Sequence, residues 1–356
     1  MFKIQSIGVS NLRSLSDTGL VELKPITLLV GRNSSGKSTF ARVFPLLKQS
    51  SEASKRGPLL WWGRLVDFGS FEDTVSRHSE DKEIKIKFNI EFSPEDLRGV
   101  SRRSLGRLSL LRVVAPGNID IEVAVRAGRD GAFVSNIKIA MFDFRAELVI
   151  NEGGFFERIT SNSYEWTASN QVIGYAPQDR LIPIPVFFKA SPSEPDRPQS
   201  WEGFDPFRSE ISKLLRMFLH GNTAEDRVRQ IANKIPLGSR ANIFNSLATI
   251  ANPASLREQL LTSGPNGYNF KRLCDVSFAA QLDLIVERIN IALESFSNDV
   301  IYLEPLRASA QRYYRQQSLA VGEIDSKGEN IAMFLDSLSG TQLNEFNKWA
   351  SRHFGI

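Results

Sequence analysis

The stretch Gly31-Arg32-Asn33-Ser34-Ser35-Gly36-Lys37-Ser38 decides how the rest of the chain is read. It fits the phosphate-loop pattern G-x-x-x-x-G-K-[ST] at every fixed position. Ahead of it, residues 25–30 (Pro-Ile-Thr-Leu-Leu-Val) form a short apolar run that predicts a buried strand. Behind it, Phe40, Val43, Phe44 and Leu47 recur at helical spacing, and Pro45 predicts a kink or an early stop. Strand, glycine loop and helix give the pattern the context that a phosphate site requires.

Each residue type has a chemical reason to be there. Gly31 and Gly36 permit positive φ and let the backbone approach a phosphate chain with no Cβ in the way. Successive N–H groups of the loop, those of Asn33, Ser34 and Ser35 among them, then face inward as an anion nest at the start of a helix. Lys37 is expected to reach the β- and γ-phosphates, the Ser38 hydroxyl to ligate Mg²⁺, and Thr39 to add a hydroxyl on the α-phosphate side. A glycine turn entering an ordinary helix is the competing reading, and both flanks argue against it. The expectation is a site for a nucleoside triphosphate, ATP with Mg²⁺.

Composition sets the bounds. A chain of 356 residues predicts two domains, or one with a large insertion. Cys274 stands alone, which excludes an intrachain disulfide and a cysteine-rich zinc site. His78, His220 and His353 are widely scattered, so no metal cluster is expected. A reducing, cytoplasmic setting fits the single cysteine. Residues 1–6 lack the apolar core of a signal peptide, and no apolar run approaches the ~20 residues that span a bilayer. No membrane partner is expected. The net charge of +4 says little about nucleic acid.

Residues 2–10 alternate, with Phe2, Ile4, Ile7 and Val9 apolar, and predict a strand. A turn at 11–15 follows, and then residues 21–23 lead into the run before the loop. An opening strand, an N-[LF]-R-S turn, a second strand and a G-x-N-x-S-G-K-S loop resemble the start of the ABC-type ATPase head shared by RecF, SMC and OLD-like proteins. Asn11, Arg13 and Ser14 carry that resemblance, with Gly31, Asn33, Ser35, Gly36, Lys37 and Ser38. It implies an α/β fold: a P-loop ABC-type ATPase lobe, an antiparallel β-lobe and a helical insertion. In that group the turn lies over the nucleotide, so Arg13 becomes a phosphate or base contact by resemblance. A plain surface arginine in a loop fits the residue equally well.

The run Asp67-Phe68-Gly69-Ser70-Phe71 is similar to one in OLD-like AAA-family ATPases, which makes Gly69, Ser70 and Phe71 candidates. The group often carries a γ-phosphate-sensing glutamine in this region, and residues 59–73 contain none. The kinase tripeptide Asp67-Phe68-Gly69 is a decoy, because the phosphate loop is of another class and no H-R-D loop exists.

From Glu83 the period becomes two, with Ile84, Ile86, Phe88 and Ile90 against Lys85, Lys87 and Asn89. Further strands are predicted over 108–114, 119–125, 133–139 and 142–150, with turns at 116–118, 128–131 and 151–154. Arg98, Arg102, Arg103, Arg107 and Arg112 fall between two of these strands, as a nucleic-acid patch or as a solvated loop. Prolines from Pro177 to Pro206 make 172–205 extended or looped. Helical faces return with Ile211, Leu214, Leu215, Phe218 and Leu219, then with Leu282, Ile285, Ile289 and Leu293. Joints are expected at 235–236, 252–253 and 264–265.

The domain plan is therefore 1–160 for the nucleotide-binding lobe with its β-lobe, 161–204 for a proline-rich connection, 205–298 for a helical insertion and 299–356 for a return to the lobe. The insertion serves dimerisation or partner binding, as the resemblance implies, or simply caps the core. Residues 300–303 predict a strand, followed by a second run similar to OLD-like ATPases, in which Arg307, Arg312 and Arg315 contact phosphate or bases or brace the core. Leu338-Ser339-Gly340-Thr341-Gln342 imitates a signature loop but reads better as the N-cap of a helix with Leu343, Phe346 and Trp349 or Ala350 on one face.

No run of four apolar residues ending in Asp-Glu occurs in 1–356, so the acidic strand that completes such a head is not found. Either the sequence is the N-terminal part of a longer ATPase, or it pairs with another chain. By resemblance the role is an ATPase head that homodimerises around ATP, in phage defence or DNA maintenance, with an effector (nuclease or toxin) or nucleic acid as partner. A scaffold that binds ATP without turnover and assembles an effector is the alternative. A P-loop kinase is disfavoured, because no acceptor-activating Asp motif can be placed.

Overall fold

The computed structural model describes residues 2–77, 79–97, 113–169, 172–191, 198–250, 252–304 and 324–354. They fall into two compact units, Met1–Asn298 and Asp299–Ile356.

The first unit is built on a twelve-stranded antiparallel sheet. It opens with β1 (Lys3–Leu12), β2 (Leu15–Asp17) and β3 (Val21–Glu22). Two helices follow, α1 (Lys37–Ala41) and α2 (Val43–Glu52), then a one-turn helix α3 (Phe71–Thr74). The chain then winds through β4 (Glu83–Phe92), β5 (Gly117–Gly128), β6 (Gly131–Met141), β7 (Phe144–Ile150), β8 (Phe155–Ser161) and β9 (Tyr164–Thr167). β10 (Val172–Tyr175), β11 (Val186–Ala190) and β12 (Pro198–Gly203) extend the edge. The order is β12-β11-β10-β8-β7-β6-β5-β4-β1-β2, with β3 beside β1 and β9 beside β8.

Alternation explains the strands. Ile86, Phe88 and Ile90 of β4 lie opposite Val123, Ile121 and Ile119 of β5, and all six are buried. Ile139 and Ile137 of β6 continue the row. The other face is polar, where Lys87, Glu122 and Lys138 form cross-strand ion pairs. The turns predicted at 128–131 and 151–154 form as expected, the first closing β5 on β6 and the second joining β7 to β8. The proline-rich stretch, expected to be extended or looped, is both: it donates the three edge strands and is looped over 176–185.

A set of helices follows, the last two of which pack on the sheet. They are α4 (Arg208–Arg216), α5 (Glu225–Ala232), α6 (Arg240–Ala248), α7 (Ala254–Ser263), α8 (Tyr268–Ala279) and α9 (Leu282–Asn298). Both predicted helical faces are buried, Ile211, Leu214 and Leu215 on α4 and Leu282, Ile285, Ile289 and Leu293 on α9. Phe278 of α8 stacks on Phe144 of β7 at 4.7 Å. Asp275 of α8, buried, accepts from Asn162 Nδ2, from Ser163 N and Oγ, and from Arg240 Nη2 at 2.7–3.2 Å. This one carboxylate ties the β8–β9 turn to two helices.

Two expected strands do not form. Residues 25–30 bend at 25–26 and belong to no sheet, and Ile26, Leu28 and Val30 are 80%, 80% and 87% exposed. An apolar run is buried only when another element covers it, and none of the described residues covers this one. Residues 300–303 of the second unit differ in the same way, with Ile301 and Leu303 exposed. The second unit otherwise holds α10 (Ile331–Asp336) and α11 (Gly340–Phe354). Of the two expected caps, Ser339 and Thr341, it is Ser339 that caps α11, its Oγ accepting from Gln342 N while Gln342 Oε1 accepts from Ser339 N. Of the expected apolar face only Ala350 is buried. The strand predicted over 108–114, except its last two residues, and the arginines at 98–112 and 307–315 lie outside the described residues.

Candidate phosphate-loop site

Residues 31–36 bring β-region backbone into α1 through three positive φ angles, Gly31 at 153°, Ser34 at 62° and Gly36 at 93°. At Gly36 a side chain is excluded twice over. Its φ is left-handed, and an added Cβ would lie 2.3 Å from Leu15 Cδ2 and 3.2 Å from Ser14 Oγ. The β1–β2 turn therefore lies against the loop, where the two-residue link Arg13-Ser14 joins Leu12 to its partner Leu15.

The loop offers donors. Ser35 N reaches the Arg32 carbonyl at 3.3 Å, whereas the N–H groups of Asn33, Ser34, Gly36, Lys37 and Ser38 bond to no described residue. Lys37 Nζ folds back onto the carbonyls of Gly31 (2.8 Å) and Arg32 (2.6 Å). An ammonium and five uncommitted N–H groups on one exposed loop fit the chemistry of a polyphosphate. Ser38 and Thr39 stand in the first turn of α1, where a hydroxyl could meet Mg²⁺ and the α-phosphate side. Pro45 makes its mark as a break at Arg42, and Phe40 and Val43 on either side of it are buried.

Arg13 is engaged elsewhere. Its φ is 51°, its Nη2 donates to the carbonyls of Phe68 (3.0 Å) and Asp67 (3.5 Å), and the guanidinium lies 4.8 Å from the Phe68 ring centroid. Of the 67–71 candidates, Gly69 takes φ 79°, Ser70 caps α3 in a capping box with Asp73, and buried Phe71 meets Trp61 edge-on at 5.6 Å. Asp67 Oδ1 accepts from Gly69 N at 2.7 Å.

Gln49 escaped the reading of the sequence. Buried on α2, it donates to the carbonyls of Leu60 (2.6 Å) and Val66 (3.1 Å) and accepts from Leu65 N and Val66 N at 3.1 and 3.0 Å. It staples a hairpin, bridged at Trp62–Asp67, whose tip exposes Trp62. The one signal was position, since Gln49 stands three residues after Leu46 on the buried side of α2.

No helix among the described residues is long and apolar enough to cross a membrane. No curated protein matches the chain. A family model described as the AAA ATPase domain matches residues 2–304. With that match spanning the sheet, the phosphate loop and the helices, the chain belongs to the AAA ATPase domain family.

Proposed function

We propose that the chain binds ATP with Mg²⁺ at residues 31–39 and works as an ABC-type ATPase head akin to OLD-like and RecF-like proteins, in phage defence or DNA maintenance. The observation that carries the reading is the loop itself, where five unpartnered N–H groups accompany the Lys37 ammonium. Lys37 rests on neutral carbonyls, and a triphosphate offers it charged oxygens, for which such a bond is about twice as strong. Mg²⁺ at the Ser38 hydroxyl would supply positive charge against the phosphate oxygens. What supports the resemblance to OLD-like and RecF-like heads is the turn Arg13–Leu15, which lies against Gly36 of the loop, where the resemblance implies a turn over the nucleotide. Arg13 acts in this reading as a positioning residue, holding the 67–68 backbone beside the turn.

Hydrolysis needs a positioned water and a base. Among the described residues no carboxylate bonds or pairs with 31–38. Ile26, Leu28 and Val30 are exposed beside the loop, and an acidic segment of another chain that covered them would bring the base. A homodimer through the head, or an effector partner, is the natural source. The missing base also favours a second reading, a scaffold that binds ATP without turnover and assembles an effector.

Calorimetric titration of ATP into the full chain, with and without Lys37→Ala, tests the proposal. Near-normal binding by a folded Lys37→Ala protein removes the site.

A further inference from the structure

Away from the phosphate loop, a cavity of about 180 Å³ opens between the last turns of α2, the segment 53–59, the segment 179–181 and the second half of α9. Four charged side chains line it, Lys55, Asp179, Arg180 and Glu294. Two of them neutralise each other, with Arg180 Nη1 at 3.3 Å from Glu294 Oε1. The other two are left over. Lys55 Nζ donates to the Ser50 carbonyl at 2.6 Å and to no other described residue. Asp179 is exposed to solvent, and its carboxylate accepts no hydrogen bond and forms no ion pair among the described residues.

An ammonium and a carboxylate that line one cavity without bonding each other offer partners to both ends of a dipolar guest. Burial pushes the Lys55 ammonium down from its ordinary range, while Asp179 and Glu294 act to hold it up. An added carboxylate beside Lys55 would offset the cost of that burial. The volume is several times the ~30 Å³ that one water occupies in the liquid. It falls below the ~300 Å³ at which pockets for drug-sized ligands begin, so a small guest fills it better than a nucleotide.

We propose that this cavity binds a small zwitterion of amino-acid size, its carboxylate on Lys55 and its ammonium on Asp179. The guest would sit between α2, which continues from the phosphate-loop helix, and α9, which already meets α2 through Phe44 and Phe296.

Titration of the full chain with L-alanine tests this, with ethylamine and propionate as probes that each lack one charge. L-alanine is expected to bind, and each truncated probe to bind at least ~10-fold more weakly, the loss of one charge-assisted contact. Lys55→Met should lower alanine affinity to that of ethylamine, and Asp179→Asn to that of propionate. Lys37→Ala should bind alanine like the unsubstituted chain, which separates this site from the phosphate loop. If either cavity variant fails to fold, the three probes on the unsubstituted chain decide alone. No alanine binding at ~10 mM, equal binding of all three probes, or binding that survives both folded substitutions overturns the proposal.

Discussion

Leu15 and Gly36 meet so closely that a single methyl group on the glycine would lie 2.3 Å from the leucine Cδ2. The contact joins the β1–β2 turn to the phosphate loop, and it makes the loop's shape depend on the sheet. Gly36→Ala should therefore fail twice, on φ and on space. A residue held against its preferred backbone costs of order 1–3 kcal/mol. Leu15→Ala in the same chain should relieve the clash and leave the φ strain. Denaturant midpoints of the single and double variants measure both parts.

Lys37→Ala should weaken ATP binding by about 30- to 150-fold, the loss of a charge-assisted contact worth ~2–3 kcal/mol. Stability should hardly change, because the Lys37 bonds to Gly31 and Arg32 are exposed. Calorimetry of binding and a thermal melt separate the two effects.

Turnover by the chain alone should sit near intrinsic background, since no carboxylate among the described residues engages the loop. Phosphate release, with Lys37→Ala as the contamination control, gives the number. Robust Lys37-dependent release would move the search for the base to Asp67 or Glu304.

Gln49→Ala should destabilise the first unit by about 2–4 kcal/mol, because it leaves buried N–H groups of Leu65 and Val66 without an acceptor. Gly63→Ala should act on the same staple, as its Cβ would lie 2.8 Å from the Gln49 amide. Urea unfolding gives the loss, and tryptophan emission should shift as the Trp61–Trp62 hairpin loosens.

Burial, reinforced by the Glu210 carboxylate, pushes Tyr164 up to about 12. In the unfolded chain a tyrosine ionises near ~10. Between those values the folded state keeps a proton that the unfolded state has released, so stability falls as pH rises through the window. Tyr164→Phe should flatten that decline, which urea midpoints on either side of the window record.

Much of the sheet was legible because β4 and β7 alternate, and β5 and β6 do so away from the bulge at Ala124–Val125, and a half-buried antiparallel strand leaves that signature in the residues themselves. The helical faces of α4 and α9 were legible for the same reason at the other period. Residues 25–30 were misjudged on equally good grounds. Periodicity reports what a segment would bury, not whether anything arrives to cover it. Arg13 and Gln49 show the second limit. Each is defined by carbonyls and N–H groups far along the chain, at 67–68 and at 60–66, and backbone partners carry no mark in the sequence. The phosphate loop was legible throughout because its signal, glycine, lysine and hydroxyl at fixed spacing, is entirely local.

The position of β1 has a consequence for how the molecule assembles. β2 and β3 pair with it locally, but the strand that joins it to the meander lies far along the chain, with Ile4 beside Ile90, whereas β5 to β8 are linked by tight turns. Contacts of short sequence separation close at lower entropic cost, so the meander is expected to zip first and β1 to dock late. The turn that carries Leu15, and with it the loop at Gly36, thus joins the sheet late, and ATP bound at the loop as proposed would pull that last step forward by mass action.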